Sequence, residues 1–175
     1  MTTDQFSGKL ALQQRVLPAY RTPFFDLLAK ACTGGLSVFA GQPQPDENIS
    51  TAQEMQEAQY VQAKNWHFFN VQSPFYRCYQ QGILHWLEEW QPDALIVEAN
   101  PRYLSTPRAV RWMHARGNPV LGWGLGAPPV IGSLASWRIQ SREKFLHSLD
   151  GVIAYSQRGA QEYCQAGIPA ERVFV

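Results

Sequence analysis

The stretch Glu98-Ala99-Asn100-Pro101-Arg102-Tyr103 sets a carboxylate, an amide and a guanidinium within five residues, at the end of the apolar run Ala94 to Ala99. Such a mixture suits a polyhydroxy ligand. Hydroxyls take carboxylate or amide partners, and flat sugar faces take aromatic cover, available here from Tyr103 or Tyr20. The same residues allow a purely structural arrangement in which Glu98 and Arg102 pair and tie the loop down. A second cluster, Gly122-Trp123-Gly124-Leu125-Gly126, places three glycines around a strand end. Glycine there permits close backbone approach by a ligand or simply a tight strand exit. Arg138 and Arg142, four apart on one helical face, could meet phosphate or a membrane surface. With Phe145 and Leu149 close to the same stripe, the favoured expectation is that they snorkel from a buried seam or pair with carboxylates.

Other chemistries are disfavoured. The turn after the first strand, Val16-Leu17-Pro18-Ala19-Tyr20, has none of the glycines that let backbone approach a pyrophosphate, and neither a phosphate-binding Gly-Lys-Ser loop nor a Gly-x-Ser-x-Gly elbow occurs. His67, His85, His114 and His147 lie on separate elements without a second histidine at helical spacing, so no metal site is expected. His85 with Glu88 or Glu89 reads as a solvated pair and receives no role. Cys32, Cys78 and Cys164 lack paired spacing and are expected to be buried, reduced thiols. A formal charge of +1 offers no basic stripe for nucleic acid. The polar N-terminus and the absence of a long apolar segment argue against secretion or membrane spanning.

The elements that would position these residues follow from periodicity. Short apolar runs alternate with helical-period segments, the pattern of βαβ units. Strands are expected at Lys9–Gln14, Leu36–Ala40, Trp66–Val71, Ala94–Ala99, Pro119–Trp123, Gly151–Tyr155 and Arg172–Val175. Thr22 and Thr106 stand as helix N-caps, each with proline in the first turn. Phe24, Leu27, Leu28 and Ala31 form the first buried stripe, and Tyr79, Ile83, Leu87 and Trp90 the second. The polar excursion from Gly41 to Lys64 carries a possible capping box, Thr51 with Glu54, for a short helix. Ser156 caps the last helix. The expected fold class is α/β: one Rossmann-like three-layer domain over residues 1–175, with a mostly parallel central sheet of six or seven strands. A chain stopping on a strand at Val173-Phe174-Val175 is expected to be a fragment.

Two segments bear a family likeness. Val16-Leu17-Pro18-Ala19-Tyr20-Arg21-Thr22-Pro23-Phe24-Phe25 resembles the first strand-to-helix junction of bacterial group 1 glycosyltransferases, the family-4 type of the GT-B fold. Leu149 to Ser156, with Gly167-Ile168-Pro169 and Arg172 to Val175, resembles the segment that closes their N-terminal domain. The likeness implies the N-terminal, acceptor-side half of a two-domain retaining transferase, inactive alone. Its nucleotide-diphosphate sugar is a substrate bound mainly by an absent C-terminal domain, and no other cofactor or metal is implied. It points to Pro18, Tyr20, Arg21, Glu98, Asn100, Arg102 and Tyr103 as acceptor contacts and to Gly124, Leu125 and Gly126 as a cleft turn. It supplies no catalytic base. In many relatives a histidine stands where Leu125 precedes Gly126, so one donor contact is lost. The implied partners are a sugar or glycolipid acceptor and the chain's own second domain, in the cytoplasm with peripheral membrane contact. Two other readings stay open: a self-contained, non-catalytic Rossmann-like binding module, and half of a nucleotide-sugar epimerase of the same fold.

Overall fold

The computed structural model describes residues 5–132 and 134–175. Seven strands form a sheet whose neighbouring pairs all run parallel: β1 (Leu10–Val16), β2 (Leu36–Gly41), β3 (Gln59–Gln62), β6 (Ala94–Glu98), β7 (Val120–Gly124), β8 (Gly151–Ala154) and β9 (Val173–Phe174), in the order β3-β2-β1-β6-β7-β8-β9. A separate antiparallel hairpin joins β4 (Lys64–Phe68) to β5 (Arg77–Gln81). The helices are α1 (Thr22–Lys30), α2 (Ile83–Trp90), α3 (Thr106–His114), α4 (Ala135–Leu146) and α5 (Gln157–Gln165).

The sheet is apolar on both faces because helices cover both. Leu10, Leu12 and Val38 pack with Phe25 and Ala29 of α1, whereas Ala11, Phe39, Leu95 and Val97 pack with Trp86 and Leu87 of α2 and Val110 and Met113 of α3. Strand residues alternate between the two groups with the period of two that a pleated strand imposes. Trp86 stacks on Phe39 at 4.9 Å between ring centroids and donates its indole N–H to Ser37 Oγ at 2.9 Å. Connections leave the central pair β1 and β6 in opposite directions. A switch point in strand order therefore lies at their carboxyl ends, where open α/β sheets leave a crevice.

The expected sheet size and parallel character match the observed ones, but several elements differ. Trp66–Val71 is not a strand of the central sheet; β4 and β5 form the detached hairpin, and Tyr79 belongs to β5 rather than to the stripe of α2. The third central strand is instead the polar edge strand β3. No helix follows Thr51: its hydroxyl donates to Gln42 Oε1 at 3.2 Å, and the residue forms an isolated bridge with Pro18. Thr22 and Thr106 are first helical residues, preceded by Arg21 and Ser105 at the caps. On α1 the buried residues are Phe25 and Ala29, while Phe24 and Leu27 are 50% and 67% exposed. Ser156 does cap α5, accepting the Gly159 N–H at 3.2 Å. Cys32 and Cys78 are buried free thiols; Cys164 is on the surface.

Candidate ligand crevice at the strand switch point

At the carboxyl end of β6 the chain turns at once. Asn100 N–H donates to the Glu98 carbonyl at 2.7 Å, and Asn100 Oδ1 accepts both the Arg102 N–H (3.1 Å) and Arg102 Nε (3.3 Å), a side-chain-closed turn of the kind asparagine favours. The loop then joins the hairpin: Cys78 N–H donates to the Arg102 carbonyl at 3.1 Å and Leu104 N–H to the Cys78 carbonyl at 2.8 Å. The hairpin is itself anchored by buried glutamines. Gln13 Nε2 donates to Gln80 Oε1, and Gln80 Nε2 to the Gln14 carbonyl at 3.0 Å. Gln13 Oε1 accepts the Glu98 N–H at 3.1 Å, so strand, loop and hairpin are locked together.

The space these elements bound is a crevice of about 700 Å³ lined by Glu98, Asn100, Arg102 and Tyr103 of the β6 exit. Gly124, Leu125 and Gly126 of the β7 exit line it too, as do Arg21 before α1, Arg77 of β5, and Trp137, Arg138 and Arg142 of α4. Its volume is that of a small-molecule site. Trp123 and Tyr155 form one wall, their ring centroids 5.2 Å apart, with Phe24 bracing Trp123 at 5.6 Å. Arg21 is fixed over both rings at 5.6 Å and donates to Gln14 Oε1 at 2.6 Å.

The structure thus brings eight of the ten expected site residues to one crevice. Pro18 is not among them: it pairs with Thr51, and Ala19 N–H donates to the Ser50 carbonyl at 2.9 Å, so part of the turn after β1 is taken by the chain's own loop. Tyr20 is 76% exposed and lies outside the lining. Tyr103 contributes little face, being packed with Tyr76 and Cys78 at 6% exposure. Aromatic cover comes instead from Trp123, Tyr155 and Trp137, which sit on three separate elements and share no sequence motif.

Glu98 and Arg102 do not pair. Glu98 Oε2 accepts the Arg15 N–H at 2.8 Å, and Arg102 lies over the Tyr76 ring at 5.5 Å. Burial pushes the Glu98 carboxyl up; the Arg15 N–H and the charges of Arg15 and Arg21 offset this only partly. A carboxyl held so exchanges protons closer to neutrality than an ordinary one. Arg15 carries a second link that sequence reasoning missed, a two-pronged ion pair with Glu47 at 2.7 and 2.5 Å. Arg138 and Arg142 have no carboxylate partner among the described residues, so of the two expected arrangements, snorkelling from a seam or pairing with carboxylates, the second is not observed.

The glycines of the β7 exit serve packing. A Cβ on Gly124 would lie 2.6 Å from Tyr163 Oη, and one on Gly126, whose φ is +126°, would lie 2.8 Å from Gly159 Cα. They let the exit loop sit directly on α5. Among the described residues no group of three His, Cys, Asp or Glu side chains could hold a metal ion, and no helix is long and apolar enough to cross a membrane.

No family model matches the chain, and no curated protein matches its sequence. Solved structures nevertheless share the fold. The lipopolysaccharide outer core galactosyltransferase WaaB, in its apo form, aligns with a TM-score of 0.52 at 15% identity, over 95% of this chain and 44% of that one. The UDP-GlcNAc 2-epimerase of Neisseria meningitidis, bound to UDP-GlcNAc, aligns at 0.52 and 16%, over 95% and 45%. Anabaena HepE, in complex with UDP and glucose, aligns at 0.53 and 13%, over 94% and 42%. The chain spans less than half the length of each. It is therefore a Rossmann-like α/β domain with the fold of one half of a GT-B protein. Glycosyltransferases and nucleotide-sugar epimerases both use that half.

Proposed function

We propose that this chain is the acceptor-side half of a nucleotide-sugar-dependent glycosyltransferase, whose donor is held mainly by a second domain. One observation carries the reading. The switch-point crevice combines Glu98 and Asn100 with an aromatic wall of Trp123 and Tyr155, while the turn after β1 has no glycine loop and spends its Ala19 N–H on the chain itself. That surface offers partners for hydroxyls and sugar faces, and the turn after β1 lacks the backbone loop that would cradle a nucleotide's diphosphate. In the transferase, a sugar passes from the nucleotide diphosphate to an acceptor hydroxyl. Asn100 and Glu98 orient that hydroxyl, and closure of the second domain excludes water from the reacting bond. Leaving-phosphate stabilisation falls to the second domain, and retention at the anomeric carbon is the outcome we assign.

The test is a kinetic split in the complete enzyme. Asn100→Ala, which removes a loop-closing acceptor, is expected to raise the acceptor KM about tenfold or more with the donor KM unchanged. An equal rise in both would sink the assignment. A second reading, half of a nucleotide-sugar 2-epimerase, is favoured by the epimerases among the fold's neighbours. Conversion of a nucleotide sugar with no acceptor present would decide for it.

A further inference from the structure

The crevice is lined by five guanidinium groups, Arg21, Arg77, Arg102, Arg138 and Arg142, and by one carboxylate, Glu98. The composition does not force this, since the whole chain carries 15 Lys and Arg against 14 Asp and Glu. None of the five is paired with a carboxylate among the described residues. Four of them are held by neutral groups. Arg77 lies over the Trp137 ring at 5.4 Å and donates to the Tyr76 carbonyl at 2.7 Å; Arg142 donates to the Pro128 carbonyl at 2.6 Å. Arg21 and Arg102 rest on aromatic rings, as described above. Arg142 Nε is buried with no hydrogen-bond partner among the described residues.

An arginine oriented by a ring face or a carbonyl keeps N–H groups free, and its fork matches the oxygens of a phosphate. Several such groups around one crevice repel each other until an anion arrives. Burial and the like charges of Arg102 and Arg138 push the Arg77 guanidinium below its usual value, which is the mark of charge left uncompensated. Because Glu98 and Asn100 line the same crevice, a single ligand that carries both an anion and hydroxyls would engage both sets of groups.

Building on the acceptor-side reading, we propose that the acceptor is a phosphorylated polyhydroxy compound, its phosphate held by Arg77, Arg102 and Arg138 and its hydroxyls by Asn100 and Glu98. The phosphate belongs either to a soluble sugar phosphate or to a lipid headgroup.

The experiment is calorimetric titration of the 175-residue chain with glucose 6-phosphate, glucose, inorganic phosphate and UDP, at low and high salt, for the wild type and for Arg102→Gln and Arg138→Gln. Cosedimentation with phosphatidylglycerol vesicles forms a parallel arm. Glucose 6-phosphate is expected to bind at least about tenfold more tightly than glucose or phosphate, to weaken with salt, and to lose about tenfold with each substitution. Arg138→Gln melts no lower than the wild type, because it removes a repelling charge, whereas Arg102→Gln also loses the Arg102 Nε bond to Asn100 Oδ1 and the packing on Tyr76. Vesicle binding that needs the same arginines, with glucose 6-phosphate inert, supports the lipid-borne source. Equal binding of glucose and glucose 6-phosphate overturns the phosphate inference and leaves the acceptor-side reading standing. UDP binding more tightly than either, and lost in the same variants, overturns both. Absence of binding by every phosphate probe overturns the inference, as does phosphate binding retained at full strength in both variants.

Discussion

Replacing Glu47 by alanine lowers the unfolding free energy by about 3–5 kcal/mol, the usual cost of leaving one partner of a buried ion pair uncompensated. The corresponding fall in Tm is on the order of 10 °C for a chain of this size. The Arg15 and Glu47 side chains are only 11% and 7% exposed, and the pair is two-pronged. Glu47 also accepts the Gln44 N–H at 2.7 Å, which closes a local turn in the polar excursion that the pair with Arg15 ties to β1. Urea unfolding of E47A checks the figure. Replacing both partners together by leucine and methionine should recover most of the loss, since two well-packed apolar groups leave no orphaned charge. A loss below about 1 kcal/mol would class the pair with exposed ones.

The same residue sets part of the acid response. Burial pushes the Glu47 carboxyl up, but the Arg15 guanidinium and the Gln44 N–H outweigh it and hold the group below the usual carboxylate range. Because the folded state releases this proton more readily than the unfolded chain, its contribution is full above the usual range and is lost as pH falls through the depressed value. Glu98 has the opposite sign: its carboxyl is held high, so stability declines as pH rises through the usual range towards that raised value. The stability difference between the wild type and Glu47→Gln is therefore largest at neutral pH and closes on acidification.

Gln80→Leu is the second large effect. Gln80 is fully buried, its amide bridging Gln13 and the Gln14 carbonyl while its backbone N–H donates to Ser105 Oγ at 3.2 Å. Leucine fills similar space but leaves Gln13 Nε2 buried without its acceptor, at about 1–3 kcal/mol, and removes the bond to the Gln14 carbonyl, at about 1 kcal/mol. The expected loss is about 2–4 kcal/mol, together with faster amide exchange along β5, because the hairpin is released from the strand ends that position Arg77. Unchanged exchange in β5 would mean that the hairpin is held by its apolar contacts alone.

The central sheet was legible because buried parallel strands are nearly continuous apolar runs, as in Ala94 to Glu98, and proline and glycine punctuate the helices around them. The hairpin was not. The β4 residues alternate between exposed and half-buried, and Arg77-Cys78-Tyr79-Gln80-Gln81 carries no apolar run to distinguish it from loop. On α1 two stripes fit the helical period, and only the packing of Phe24 on Trp123 from the crevice side selects the one through Phe25 and Ala29.

The site was partly legible for a topological reason. Polar residues directly after a buried strand must leave the sheet at its carboxyl end, so Glu98, Asn100 and Arg102 announced themselves. Arg77, Trp123, Tyr155 and the crevice-facing role of Arg138 and Arg142 did not, because long side chains on separate elements converge only once the helix and hairpin orientations are known. The buried Arg15 to Glu47 pair spans 32 positions with no motif between them.

The most direct test of the account is fluorine NMR of the chain with labelled tryptophans, titrated separately with sugars, sugar phosphates, UDP and GDP. Trp123 and Trp137 line the crevice and report its occupancy. Acceptor-type compounds are expected to shift these two signals, and UDP and GDP to leave them in place. Saturable, micromolar binding of a nucleotide that moves both signals, with sugars inert, would contradict the acceptor-side reading and make this crevice a nucleotide site.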